Sequence, residues 1–68
     1  MNIKDYIIKN FKDCSIMDVR ETVIASVNSN DEVVLPGLGV LFEIVWNDSD
    51  NNFRNEMVEI IYEHTKKA

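Results

Sequence analysis

The chain has 68 residues, 46% of them hydrophobic, and its 7 Lys+Arg against 12 Asp+Glu give a formal net charge of −5. That length holds one domain, read here as residues 1–68, and excludes an enzyme built as two domains around a cleft. An apolar content this high, with 2 Gly and 1 Pro, also excludes a disordered tail.

Ordering a residue costs about 1.5 kcal/mol, which one small core barely offsets, so chains of this size commonly add a disulfide, a metal or a partner. The lone cysteine, Cys14, excludes an internal disulfide and fits a reducing compartment, while a disulfide between two chains stays open. No apolar run approaches the roughly 18–20 residues of a membrane span, and Met1-Asn2-Ile3-Lys4-Asp5 lacks the apolar core of a signal peptide. The expectation is a soluble intracellular protein without a membrane partner.

Asn2 precedes Ile3, Ile7, Phe11 and Cys14, spaced as one face of a helix that Asn2 and Asp5 can cap. Ser15-Ile16-Met17-Asp18 is a second start signal, leading into Ile16, Val19, Val23, Ile24 and Val27. The β-branched content of this second helix makes it depend on burial. Asn28-Ser29-Asn30-Asp31 ends it, with an asparagine available for a left-handed cap.

Val33-Val34-Leu35 reads as a linker or very short strand, because the residue before Pro36 is pushed toward extended geometry. Pro36 suits the first turn of a third helix. Leu38, Leu41, Phe42 and Val45 then form a helical stripe, and Val40 and Ile44 make the other side apolar too, so the segment should be nearly engulfed. The same residues alternate as Val40, Phe42, Ile44 and Trp46, and period alone does not separate helix from strand in a short apolar run. The proline start and the lack of a second strand-like run favour helix. Asn47–Asn52 reads as a loop, and Phe53, Met57, Ile60, Ile61 and His64 mark one face of a last helix that Lys66 and Lys67 complement. The expected fold is all-α: four short helices in which Leu38, Leu41, Phe42, Val45 and Trp46 meet Phe11, Val23, Val27, Met57 and Ile61.

The charge argues against nucleic acid. Phosphate neutralisation by Lys and Arg supplies most non-specific affinity, yet between Asp31 and Glu63 eight carboxylates face the single Arg54. Lys4, Lys9 and Lys12 share part of one helix, Arg20 stands alone, and no basic stripe forms.

Counted from Asp48 as the first position, Asp50, Asn52, Glu56 and Glu59 fall at the ligand spacing of a calcium loop. Phe53 occupies the sharp turn that normally takes glycine, so helix-capping carboxylates are the better account. His64 has no second ligand or nucleophile beside it and reads as a partly buried helical histidine. Cys14 lacks a histidine or a second cysteine nearby and reads as a buried or boundary thiol. Gly37-Leu38-Gly39 lacks the further glycines and flanking residues of a phosphate loop. The sequence therefore indicates no catalytic residue, metal, cofactor or small-molecule substrate, and the expectation is a non-enzymatic protein.

What remains is Leu35-Pro36-Gly37-Leu38-Gly39-Val40-Leu41-Phe42-Glu43-Ile44-Val45-Trp46. Two glycines beside a proline suit close backbone packing at a helix entry. The bland reading is a core helix approached by a neighbour; the functional one is an apolar surface for a protein partner or a second copy, anchored by Trp46.

The block Leu35 to Glu43, followed by two β-branched residues and Trp46, resembles the signature of the small acid-soluble spore protein I family of endospore-forming bacteria. Glu21-Thr22-Val23-Ile24 upstream and Asn55-Glu56-Met57 downstream extend the likeness over nearly the whole chain. The resemblance implies a minor protein of the spore core, made in the forespore, with no assigned enzymatic activity. It makes Leu35, Pro36, Gly37, Leu38, Gly39, Val40, Leu41, Phe42, Glu43 and Trp46 family-motif residues of unassigned role. It does not imply DNA coating: the major spore proteins that coat DNA look unrelated, and their germination-protease site has a small residue where Val45 follows Glu43-Ile44.

Val34 to Gly39 with Phe42 also looks like the strand-turn of HU-type DNA-bending proteins, preceded there by two helices. The basic arms of those proteins are absent. The alternative expectation is thus an HU-like α+β half-fold with a strand-turn at 33–46, acting as a small acidic interaction module through an apolar patch around Trp46.

Overall fold

The computed structural model describes residues 2–67. In chain order it contains α1 (Ile3–Asn10), α2 (Ile16–Asn28), a 3-10 turn (Glu32–Val34), α3 (Leu35–Asp48) and α4 (Asn51–Lys67). The fold is all-α, and there is no strand among the described residues. The strand-turn of the HU-like alternative is replaced by the 3-10 turn and the start of α3.

Local signals set the first two helix starts. The Asn2 side chain accepts the Asp5 N–H at 2.8 Å. Ser15 and Asp18 form a reciprocal capping box, with Ser15 Oγ accepting the Asp18 N–H at 3.1 Å and the Asp18 carboxylate accepting the Ser15 N–H at 3.2 Å. The end of α2 differs from expectation. Ser29 is extended, and none of the described residues has positive φ, so no asparagine takes a left-handed cap.

The Asp31 carboxylate then accepts the Val33 N–H at 3.0 Å and turns the chain into the 3-10 segment. Leu35 is helical, at φ −60° and ψ −43°, despite the steric cost before proline. The expected linker or strand at Val33–Leu35 is therefore a tight helical lead-in. Continuing the helix lets Pro36 occupy the first turn, where its missing N–H leaves no bond unmade.

The expected loop at 47–52 shrinks to Ser49 and Asp50. The Asp50 carboxylate accepts the Phe53 N–H at 2.8 Å, so Asn51 and Asn52 join α4 as its first turn.

α3 is the hub. Its close neighbours are α1, α2 and the 3-10 turn. Among the described residues only Val40 is buried, at 9% exposure, while Phe11, Val23, Leu38, Leu41, Trp46 and Met57 are half-buried. The expected core is corrected accordingly. Phe42, Val45, Val27 and Ile61 are 44–64% exposed, and Val40, from the side taken as secondary, is the centre. α3 is apolar around its whole circumference, but the three elements before it cover one side alone. It is not engulfed.

Candidate functional site

All ten family-motif residues lie on α3, and the helix sorts them by direction. Val40 is buried. Leu38 and Leu41 are half-buried and line a groove of about 420 Å³ with Ile3, Tyr6 and Ile7 of α1 and Val33 of the 3-10 turn. Gly39, Phe42 and Trp46 line the other side, where with Glu43 and Ile61 of α4 they form a second groove of about 440 Å³.

The two glycines have different surroundings, and neither is sterically demanded by the chain's own packing. A Cβ on Gly37 would lie 3.7 Å from Ile7 Cδ1, an ordinary van der Waals contact. A Cβ on Gly39 would meet nothing within 4 Å. Each glycine inside a helix costs about 0.5–1 kcal/mol relative to alanine. The sequence reading, in which both glycines admit a neighbouring element, thus holds in a weak form for Gly37. It fails for Gly39 within a single chain.

Trp46 is held from two sides. Its ring lies 6.1 Å from that of Phe42 at a 36° tilt. The Arg54 guanidinium sits 5.4 Å from the Trp46 ring centroid. Arg54 also caps the end of α3: its Nε donates to the Trp46 carbonyl at 2.8 Å and its Nη2 to the Asn47 carbonyl at 3.4 Å. The Trp46 carbonyl also accepts the Ser49 N–H at 3.3 Å, and a cation beside these last carbonyls complements the negative helix end. The Ser49 hydroxyl, donating to the Val45 carbonyl, completes the cap.

Sequence reasoning passed over Arg54 as an isolated charge. Its legible signal was position: the first turn of a helix that begins just after another helix ends. A second omission is the ion pair between Lys4 of α1 and Glu43 of α3, which joins residues 39 positions apart and follows no local spacing.

The remaining candidates stay apart. Cys14 is exposed between α1 and α2, and its Sγ donates to the Asn10 carbonyl at 3.7 Å, so the expectation of a buried or boundary thiol is corrected. His64 is exposed on α4 rather than half-buried, among Glu56, Glu59 and Glu63 on an open face. Asp50 is committed to capping α4, and Phe53 continues the helix where a calcium loop would turn. No group of three or more His, Cys, Asp or Glu among the described residues is placed to hold a metal ion. No helix of the described residues is long and apolar enough to cross a membrane. What α3 offers chemically is an apolar contact surface with one aromatic pair.

The family model described as small, acid-soluble spore protein I matches residues 1–65. The small, acid-soluble spore protein I of Bacillus cereus (strain G9842) is 36% identical over 66 residues, covering 97% of this chain and 96% of that protein. The protein of the same name from Bacillus anthracis (strain CDC 684 / NRRL 3495) is 35% identical over 66 residues, with the same coverage of both. No solved structure matches the chain. A match that spans both chains almost end to end, with the motif block gathered on one helix, establishes that this chain belongs to the small, acid-soluble spore protein I family, a family of spore proteins.

Proposed function

We propose that this is a non-enzymatic protein of the spore core, made in the forespore during sporulation and acting through contact rather than chemistry. The observation that carries this reading is the character of α3. The family-motif residues build an apolar surface, and the polar side chains beside it serve structure: Arg54 caps the helix and Lys4 pairs with Glu43. The side chains suited to nucleophilic or acid–base work, Cys14 and His64, sit on separate exposed parts of the chain. A catalytic site needs such groups within hydrogen-bond reach of one another and of a substrate.

The same surface argues against a role on DNA. The chain carries a net charge of −5. Lys4 and Arg54 are engaged within the fold, and Lys66 rests 5.1 Å from the Tyr62 ring centroid. Mixed with duplex DNA at low salt, the protein should leave the DNA band unshifted at micromolar concentration. A retarded band that fades as salt rises would reveal counterion-releasing contacts and reverse this part of the reading.

The localisation test is a fluorescent fusion followed through growth and sporulation. Signal should appear in the forespore and persist in the core of the mature spore. Signal in vegetative cells, or in the coat layers, would defeat the assignment to the spore core.

A further inference from the structure

We propose that the outward face of α3 pairs with the same face of a second copy of this chain, giving a twofold dimer in which Phe42 of each copy seats over Gly39 of the other. Three observations on the single chain lead there.

The first is area. A folded chain of 7.9 kDa exposes about 4,400 Å² by the scaling of surface with mass, whereas this chain exposes 5878 Å². The excess is about 1,500 Å² over the whole chain, above the roughly 800 Å² per partner that a standard interface buries, so one shared face can be supplied from part of it. The radius of gyration agrees: 13.5 Å against about 11 Å for a compact chain of 68 residues.

The second is charge, which selects the occupant. Two copies at −5 repel unless their carboxylates are kept out of the contact. The ten residues Val33–Phe42 carry no charge, and Glu43, the carboxylate at the groove, is already paired with Lys4 of the same chain. A basic partner would find no free carboxylate in this groove. A second apolar face of the same kind meets it without leaving a charge unpaired.

The third is shape. Leu35, Gly39, Phe42 and Trp46 recur at intervals of four, three and four, the spacing of a helix–helix seam. Gly39, Phe42, Trp46 and Ile61 line one shallow groove. Apart from the neighbouring residues and backbone of its own helix, no atom lies within 4 Å of where a Gly39 Cβ would stand. A hollow and a ring one turn apart on one helix are self-complementary under a twofold axis, since each copy supplies the ring that fills the other's hollow.

Sedimentation equilibrium of the full chain tests this. The expected mass is about 16 kDa, twice 7.9 kDa, at about 10 µM. Gly39→Leu is the decisive variant because a Cβ there meets nothing within 4 Å in one chain and leucine favours helix over glycine. Helicity should hold or rise while the dimer dissociates about 10- to 100-fold more readily, because the hollow is filled. Phe42→Glu should weaken it about 100-fold by bringing two like charges into the contact. Ile16→Glu, at an 86% exposed position on α2, should leave the mass unchanged. A monomer at about 100 µM, or a dimer indifferent to both Gly39→Leu and Phe42→Glu, overturns the proposal. The dimer stands independently of the spore-core reading: a vegetatively expressed dimer would defeat that reading and leave this one intact.

Discussion

α3 and α4 are adjacent in sequence and opposite in what makes them helical. α3 has no side-chain cap at its start, a proline in its first turn and two glycines, all inside a run of apolar residues. Its local preferences are poor, yet it holds Val40, the one buried residue among those described. α4 has 17 residues, an Asp50 cap, and His64, Lys66 and Lys67 in its last turn, with no buried residue at all. One helix is held by what packs on it, the other by its own ends. The comparison shows why a chain this short tolerates so open a fold: burial is concentrated where propensity is weakest.

The sharpest way to break this contrast is Val40→Asp. An unpaired carboxylate at the most buried position should cost about 3–5 kcal/mol and abolish α3 and its contacts with α1 and α2. Far-UV circular dichroism should lose much of its signal at 222 nm, and the amides of α4 should retain more hydrogen-exchange protection than those of α3. Equal loss in both helices would show that α4 also lives on α3's packing.

Arg54→Ala tests the one strong link between the two helices. It removes two donors from the end of α3 and the cation above Trp46, for an expected loss of about 1–2 kcal/mol in denaturant unfolding. Trp46 emission should shift to the red as its ring gains water. Arg54→Lys should rescue little, because lysine lacks the planar fork that reaches both carbonyls.

Asp50→Ala acts first on α4. Loss of the cap should cost about 1 kcal/mol and fray the first turn of α4, seen as faster exchange at the Phe53 and Arg54 amides, with α3 affected only at the end that Arg54 caps.

Gly37→Ala gives the smallest shift and the opposite sign. Its methyl would reach Ile7 at ordinary contact distance, so α3 should gain about 0.5–1 kcal/mol from better helix propensity. A loss instead would mean that Ile7 packs on Gly37 too tightly to admit the methyl.

By itself the sequence marked four helices and favoured helix over strand for the third, but not the 3-10 turn that leads into it. Helix starts were legible at Asn2 and Ser15 because a cap is a local event: a side-chain oxygen meets an N–H three residues on. The acidic balance and the motif block from Leu35 to Trp46 were legible for the same reason, since they are properties of adjacent residues. Tertiary structure decided which side of α3 is inside. A helix apolar all round carries no stripe to orient it, so the choice of Val40 over Phe42 and Val45 rests on where α1 and α2 approach. It also decided the helical lead-in at Leu35, where continuing into α3 overrides the preference before proline. The role of Arg54 and the pairing of Lys4 with Glu43 belong here too. Both depend on a through-space meeting of distant backbone segments, which no pattern of neighbouring residues encodes.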